Sequence, residues 1–133
     1  MVKKILMMSI IASGLLFSEG VVDRGNIKIM QDLETATATI LKGFLYNNKA
    51  VIGNGVKDIK KLSETIEAFE IHNNNTKKDF DAKKYAIDEA ASISTLADNL
   101  LKQFKEDKKD EATRTYSIIV NKCISCHKII RKW

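Results

Sequence analysis

The chain has 133 residues, of which 44% are hydrophobic and 29% are charged, with six glycines and no proline. This length fits one domain of ordinary size, and the absence of proline disfavours turn-rich β folds and favours long helices. The formal net charge of +5 is spread through segments that also contain acids, without the basic stripe and stacking aromatics of a nucleic-acid-binding protein. We therefore predict an all-α protein that does not bind nucleic acid.

The first segment has the layout of a secretory signal peptide. Two lysines precede a mostly apolar stretch at residues 5–17, and the small residues Ser18 and Gly20 follow, where a signal peptidase can cut. A stable membrane span needs about 20 apolar residues, which this stretch does not supply. We predict that residues 1–20 are removed and that residues 21–133 form an exported domain without a membrane span. The alternative is an uncleaved N-terminal anchor.

In the rest of the chain, apolar residues recur at intervals of three or four, the spacing of one helix face. The pattern predicts four helices, at residues 23–47, 56–71, 79–105 and 111–132. We expect Gly53-Asn54-Gly55 to lie in the link before the second helix and Thr76 to cap the third. The predicted core faces include Ile27, Leu41 and Phe80. Four such helices joined by short links most simply form an antiparallel up-down-up-down four-helix bundle.

Both cysteines of the chain lie in the sequence Cys-Ile-Ser-Cys-His at residues 123–127, which is the C-x-x-C-H signature of c-type heme attachment. Residues three and four apart share a helix face, so Cys123, Cys126 and His127 project together. Two thiols at this spacing can form thioethers with the two vinyl groups of a heme, and the adjacent imidazole can bind the iron. The motif predicts one covalent heme c per chain, with His127 as the proximal ligand.

Other interpretations of these residues remain open. A disulfide between Cys123 and Cys126 would suit an oxidising compartment. A thioredoxin-type redox pair normally lies at the start of a helix beside a βαβ unit. A zinc site needs four ligands, and His72 is the obvious further candidate. A structural bundle without heme is a further class.

The position of the motif in the last predicted helix indicates which kind of c-type cytochrome the sequence resembles. Most small c-type cytochromes carry C-x-x-C-H near the N-terminus, whereas here it lies in the last predicted helix. This layout resembles the class II cytochromes c, the cytochrome c′ family. The segment Cys-His-Lys-Ile-Ile-Arg at residues 126–131 is similar to that family's ending, with Arg131 as its basic residue and Ile130 where an aromatic is frequent. The resemblance implies an up-down-up-down bundle with heme between the helices near one end and Arg131 beside the heme.

Met30 is the candidate for the second axial ligand. No other methionine lies outside residues 1–20. Met30 is predicted about 10 Å into the first helix, at the same end of the bundle and at a similar height as His127. In low-spin members of the class II family a methionine of the first helix ligates the iron, and Met/His ligation suits electron transfer. The alternatives are that Met30 only fills the core or that His72 is the ligand.

These features predict a periplasmic electron-transfer protein that is not an enzyme and that exchanges electrons with redox protein partners. The family resemblance also implies a homodimer formed through the first two helices. The alternative function is binding of NO or CO by a five-coordinate heme. In that case Met30 only packs, and Leu33, Glu34 or Thr37 lines the open site.

Overall fold

A computed structural model of the protein describes residues 24–71 and 79–131. Those residues form four α-helices and one short 3-10 helix and contain no strand, which confirms the all-α prediction. The helices are α1 (Arg24–Leu45), α2 (Lys49–Glu64), α3 (Ala82–Lys105) and α4 (Lys109–Arg131), and the 3-10 helix (Thr65–Ala68) continues α2. The predicted signal peptide, Thr76 and His72 lie outside the described residues. No helix in the described part of the chain is both long enough and apolar enough to cross a bilayer.

The turn after α1 and the turn after α3 have the same construction. Asn47 adopts a positive φ of 49°, and the Asn48 N–H donates to the Gly43 carbonyl at 2.8 Å. Asp107 takes the equivalent place after α3 with a φ of 62°, and the Lys108 N–H makes the corresponding bond at 2.9 Å. Asn and Asp tolerate this left-handed conformation better than most residues, and the bonds satisfy carbonyls at the helix end. Each turn therefore ends one helix and begins the next within three residues.

The start of α2 differs from the prediction. The helix begins at Lys49, because the side-chain oxygen of Asn48 accepts hydrogen bonds from the N–H groups of Ala50 and Val51 at 3.0 and 3.1 Å. These bonds satisfy donors that the first turn of a helix would leave unpaired. The expectation that Gly53-Asn54-Gly55 forms the link was wrong, since all three residues lie inside α2.

Gly55 has a packing role in α2. A Cβ atom at this position would lie 2.7 Å from Cγ1 of Ile40 and 2.8 Å from the carbonyl oxygen of Ala36, both in α1. The absence of a side chain lets the two helices approach closely, and this contact explains a glycine in a helix interior, where its propensity is poor. The contact between α1 and α2 could not be inferred from the local pattern.

The start of α3 also differs from the prediction. The helix begins at Ala82, and the extended residue Asp81 caps it by accepting a hydrogen bond from the Lys84 N–H at 2.9 Å. Phe80 therefore precedes the helix, where its ring lies 5.6 Å from that of Tyr85. Its predicted place on the face of the third helix was wrong, because the cap lies after it.

The buried side chains form two clusters. The main cluster draws on all four helices and consists of Ala36, Ile40, Ile52, Val56, Ile59, Ala97, Leu100, Phe104, Ala112 and Ile119. The end cluster has a buried centre of Ile66, Phe69, Ala86 and Ala90, against which Ile29, Met30, Leu33, Ile71 and Ile130 pack. Its members come from the start of α1, the chain after α2, the start of α3 and the last turn of α4.

The aromatic rings near the two turns define the opposite end of the molecule. The Phe44 ring, next to the end of α1, lies 5.5 Å from the Phe104 ring, next to the end of α3. It also lies 5.8 Å from the ring of Tyr116 in α4. The two three-residue turns therefore lie near one another.

Two residues predicted in the core of the first helix are exposed. Ile27 and Leu41 retain 39% and 43% of their accessible surface. The face of α1 that packs into the core is instead the one that carries Ala36 and Ile40, which are almost completely buried and lie one turn apart.

Candidate functional site

The three side chains of the C-x-x-C-H motif lie in the second half of α4. Cys123, Cys126 and His127 are each partly buried. Cys123 packs against the main cluster, whereas Ile130, further along the same helix, packs against the end cluster. The motif therefore occupies the stretch of α4 that leads from one apolar cluster to the other.

The surroundings of the two thiols bear on the competing interpretations. Cys123 and Cys126 are free and do not form a disulfide with each other. They lie far from the start of a 23-residue helix, and no strand occurs in residues 24–71 or 79–131 to supply the βαβ unit of a thioredoxin-type pair. Within the same ranges, no three His, Cys, Asp or Glu side chains come together as a metal-binding group, so these residues alone build no zinc site.

His127 has the electrostatic surroundings of a neutral imidazole. Burial lowers its pKa below the ordinary value of 6.5, and the positive charge of Arg131, one turn further along α4, lowers it further. The neutral ring carries a free nitrogen lone pair, which is the form that binds a metal. Arg131 itself is exposed, so its guanidinium can meet an anionic group at the end of the helix.

The two thiols are held in their protonated form. Burial raises the pKa of Cys126 to about 11, and the negative charge of Glu89 contributes to the rise. Burial also raises the pKa of Cys123, again with a contribution from Glu89. Because the thiolate is the reactive species, the raised pKa values favour the less reactive thiol form at neutral pH.

An ion pair between α3 and α4 borders the motif. Lys122 Nζ lies 3.1 Å from each carboxylate oxygen of Glu89, and the two side chains are 29% and 18% exposed. Burial raises the pKa of Tyr85, which lies one turn before Glu89, and Glu89 and then Cys126 contribute to the rise. The α3 side of the site is therefore polar, in contrast to the apolar end cluster.

Glu89 and Lys122 were not among the site residues predicted from the sequence. Glu89 directly precedes Ala90, which lies on the predicted core face, and Lys122 directly precedes Cys123. Each neighbour hinted at a position close to the core. The pairing itself depends on how α3 and α4 pack, which no local pattern gives.

Met30 lies in the end cluster, which also receives Ile130 from the last turn of α4. The structure thus brings the predicted distal ligand and the helix turn that follows His127 to one apolar region. Among the residues named for an open gas site, Leu33 joins the same cluster, whereas Glu34 is exposed. The hydroxyl of Thr37 donates to the Leu33 carbonyl at 2.8 Å.

Two surface pockets lie elsewhere on the molecule. One lies between α2 and α3 and is lined by Val56, Lys60 and Leu101 among others, and the other follows the turn before α4. Neither pocket includes a residue of the motif or Met30.

The chain matches no family profile, no curated protein and no solved structure.

The donor set fits a covalently attached heme. Two free thiols and an imidazole follow one another on α4, and the buried, neutral character of His127 suits iron ligation. The end cluster supplies apolar side chains of the kind that surround a porphyrin, and it contains the thioether of Met30. These residues would hold the group through sulfur, nitrogen and apolar contact.

Proposed function

We propose that this protein is an exported class II c-type cytochrome that carries one heme c per chain and transfers electrons between periplasmic redox proteins. Cys123 and Cys126 bind the heme covalently, His127 is the proximal ligand and Met30 is the distal ligand. The observation that carries the proposal is the position of the motif on α4, directly before the turn that packs with Met30 on the end cluster. The bound group supplies one-electron redox chemistry, which the protein orients and tunes.

The helices are proposed to form an antiparallel up-down-up-down bundle. The three-residue turns after α1 and α3 support this arrangement, and the contact between the Phe44 and Phe104 rings puts both turns at one end. The close approaches of Gly43 to Ile52 and of Gly55 to Ile40 also support it, since residues later in α2 meet residues earlier in α1. The end cluster then closes the other end of the bundle, where helices of this topology would hold a heme between them.

The surroundings of the ligands favour electron transfer. Met30 is partly buried and packs against the apolar side chains of the end cluster. Met/His ligation raises the reduction potential of a heme and leaves no open iron position. Arg131 is proposed to pair with a heme propionate, since a guanidinium matches a carboxylate in a bidentate contact.

Mass spectrometry of the exported chain tests the covalent attachment. The full sequence is expressed in a bacterium that matures c-type cytochromes in its periplasm, and the denatured protein is weighed. We expect a chain shortened by its first segment and heavier by one heme, whereas the variant Cys123→Ala/Cys126→Ala has the mass of the bare chain. A wild-type chain without heme, in cells that mature other c-type cytochromes, would refute the proposal.

The spectrum of the reduced protein tests the ligands. With His127 and Met30 both bound, we expect low-spin bands that added CO leaves unchanged. Rapid binding of CO without displacement of a ligand would instead support the gas-binding function and would rule out Met30 as a ligand.

A further inference from the structure

The Glu89–Lys122 pair is the most buried of the ion pairs between described residues. The pair Lys60–Asp98, which also joins two helices, is 41% and 53% exposed. Withdrawing a carboxylate and an ammonium from water carries a desolvation penalty, and apolar side chains of similar volume often stabilise a protein as well or better. Stability alone is therefore a weak reason for two charges at this position.

The pair is also close to the motif. Lys122 directly precedes Cys123 in α4, and its ammonium lies 3.1 Å from each carboxylate oxygen of Glu89. Both charges therefore lie beside the helix turn through which the heme would be attached. Charges that are partly buried are screened by salt much less than charges at the surface.

We propose that the Glu89–Lys122 pair tunes the reduction potential of the heme, with Glu89 favouring the ferric form and Lys122 favouring the ferrous form. This inference rests on the proposed function. Reduction adds one electron to the iron and removes one positive charge from the site. A negative charge nearby therefore opposes reduction, and a positive charge assists it. The two residues are positioning and tuning residues and do not bind the iron.

Neutralising one partner at a time separates the two effects. The variants are Glu89→Gln, which keeps a hydrogen-bond acceptor for Lys122, and Lys122→Met, which keeps the length of the side chain. Asp98→Asn is the matched control, since it removes a carboxylate from the more exposed pair nine residues further along α3, about 13 Å away along the helix axis. The potential of each holoprotein is measured by spectroelectrochemical titration.

The expected shifts have opposite signs. A unit charge acting over about 12 Å at an effective dielectric constant of about 20 changes an equilibrium about tenfold. We expect Glu89→Gln to shift the ferrous-to-ferric ratio about tenfold toward ferrous, which is about +59 mV for one electron. Lys122→Met should shift it toward ferric, and the double variant should return most of the way to wild type. Asp98→Asn should change the ratio by less than about twofold.

A purely structural pair gives a different result. In that case Glu89→Gln and Lys122→Met both lower the unfolding temperature. Their reduction potentials then either equal that of Asp98→Asn or shift in the same direction as each other. Either outcome overturns the inference. If Lys122→Met does not fold, Lys122→Gln replaces it with the same expected shift toward ferric, and an unchanged potential overturns the inference. A bare-chain mass for the wild type refutes the proposed function, so mass and potential distinguish the two failures.

Discussion

Two glycines of α2 provide a sharp test of the helix packing. Gly53 and Gly55 both lie in the helix, two residues apart, and replacing either with alanine improves the helix propensity by about 1 kcal/mol. Their surroundings differ. A Cβ at Gly53 meets nothing within 4 Å, whereas a Cβ at Gly55 lies 2.8 Å from the Ala36 carbonyl oxygen and 3.0 Å from the Ile40 backbone nitrogen. Two of the atoms that a Cβ at Gly55 would meet belong to the backbone of α1, so α1 itself must move.

The two substitutions should therefore have opposite effects. We expect Gly53→Ala to stabilise the protein by about 1 kcal/mol, because only the propensity changes. Overpacking typically costs about 1–3 kcal/mol, and backbone contacts this short belong at the upper end. After the propensity gain, Gly55→Ala should destabilise the protein by about 2 kcal/mol. The difference of about 3 kcal/mol corresponds to roughly 12 °C in unfolding temperature, at roughly 4 °C per kcal/mol for a chain of this size.

Thermal and urea unfolding followed by circular dichroism at 222 nm measure both variants against wild type. Equal stability of the two variants would refute the close contact between α1 and α2. If α2 instead began after the two glycines, Gly53→Ala would give little gain in stability. The pair thus tests both the start of α2 and its packing.

The remaining predictions concern one ligand and one hydrogen bond. Met30→Leu keeps the side-chain volume but removes the thioether, so we expect a high-spin spectrum and a lower potential; an unchanged spectrum would show that Met30 only packs. Tyr116→Phe removes a hydroxyl that donates a hydrogen bond to the Thr37 carbonyl at 3.3 Å, so we expect it to lower the free energy of unfolding by about 1 kcal/mol at pH 8. The control is Tyr46→Phe, at a residue that is 72% exposed, which should not change the stability measurably. Burial, and then the charge of Cys123, raises the pKa of Tyr116 above its unfolded value of 10. Its contribution is therefore complete below pH 10 and is lost as the pH rises through the folded pKa. Urea unfolding between pH 8 and pH 11 measures this loss, and a difference between wild type and Tyr116→Phe that stays constant over this range would contradict it.

The boundaries that sequence patterns predicted well are those with local signals. The predicted third and fourth helices leave residues 106–110 as the link between them, and the link lies at residues 106–108. The predicted end of the third helix coincides with the end of α3 at Lys105. In both cases the signal comes from neighbouring residues along the chain, and tertiary contacts do not alter it.

The errors arose where a residue served a distant contact. Gly53 and Gly55 resemble turn residues in the sequence, yet Gly55 is small because α1 lies against it. Ile27 and Leu41 continue the apolar spacing of α1, yet they face outward because Ala36 and Ile40 fix the direction of the helix. Composition cannot distinguish these cases, since the same residue type serves both roles.

The sequence by itself determined the helical class and the candidate chemistry. Helical periodicity is a local property, and the spacing of two cysteines and a histidine puts their side chains on one face of any helix that contains them. Only the tertiary structure decided which residues from distant parts of the chain pack near α4. Met30 is about ninety residues from the motif along the chain and Glu89 about thirty, and their places depend on which sides of four helices bury apolar surface together.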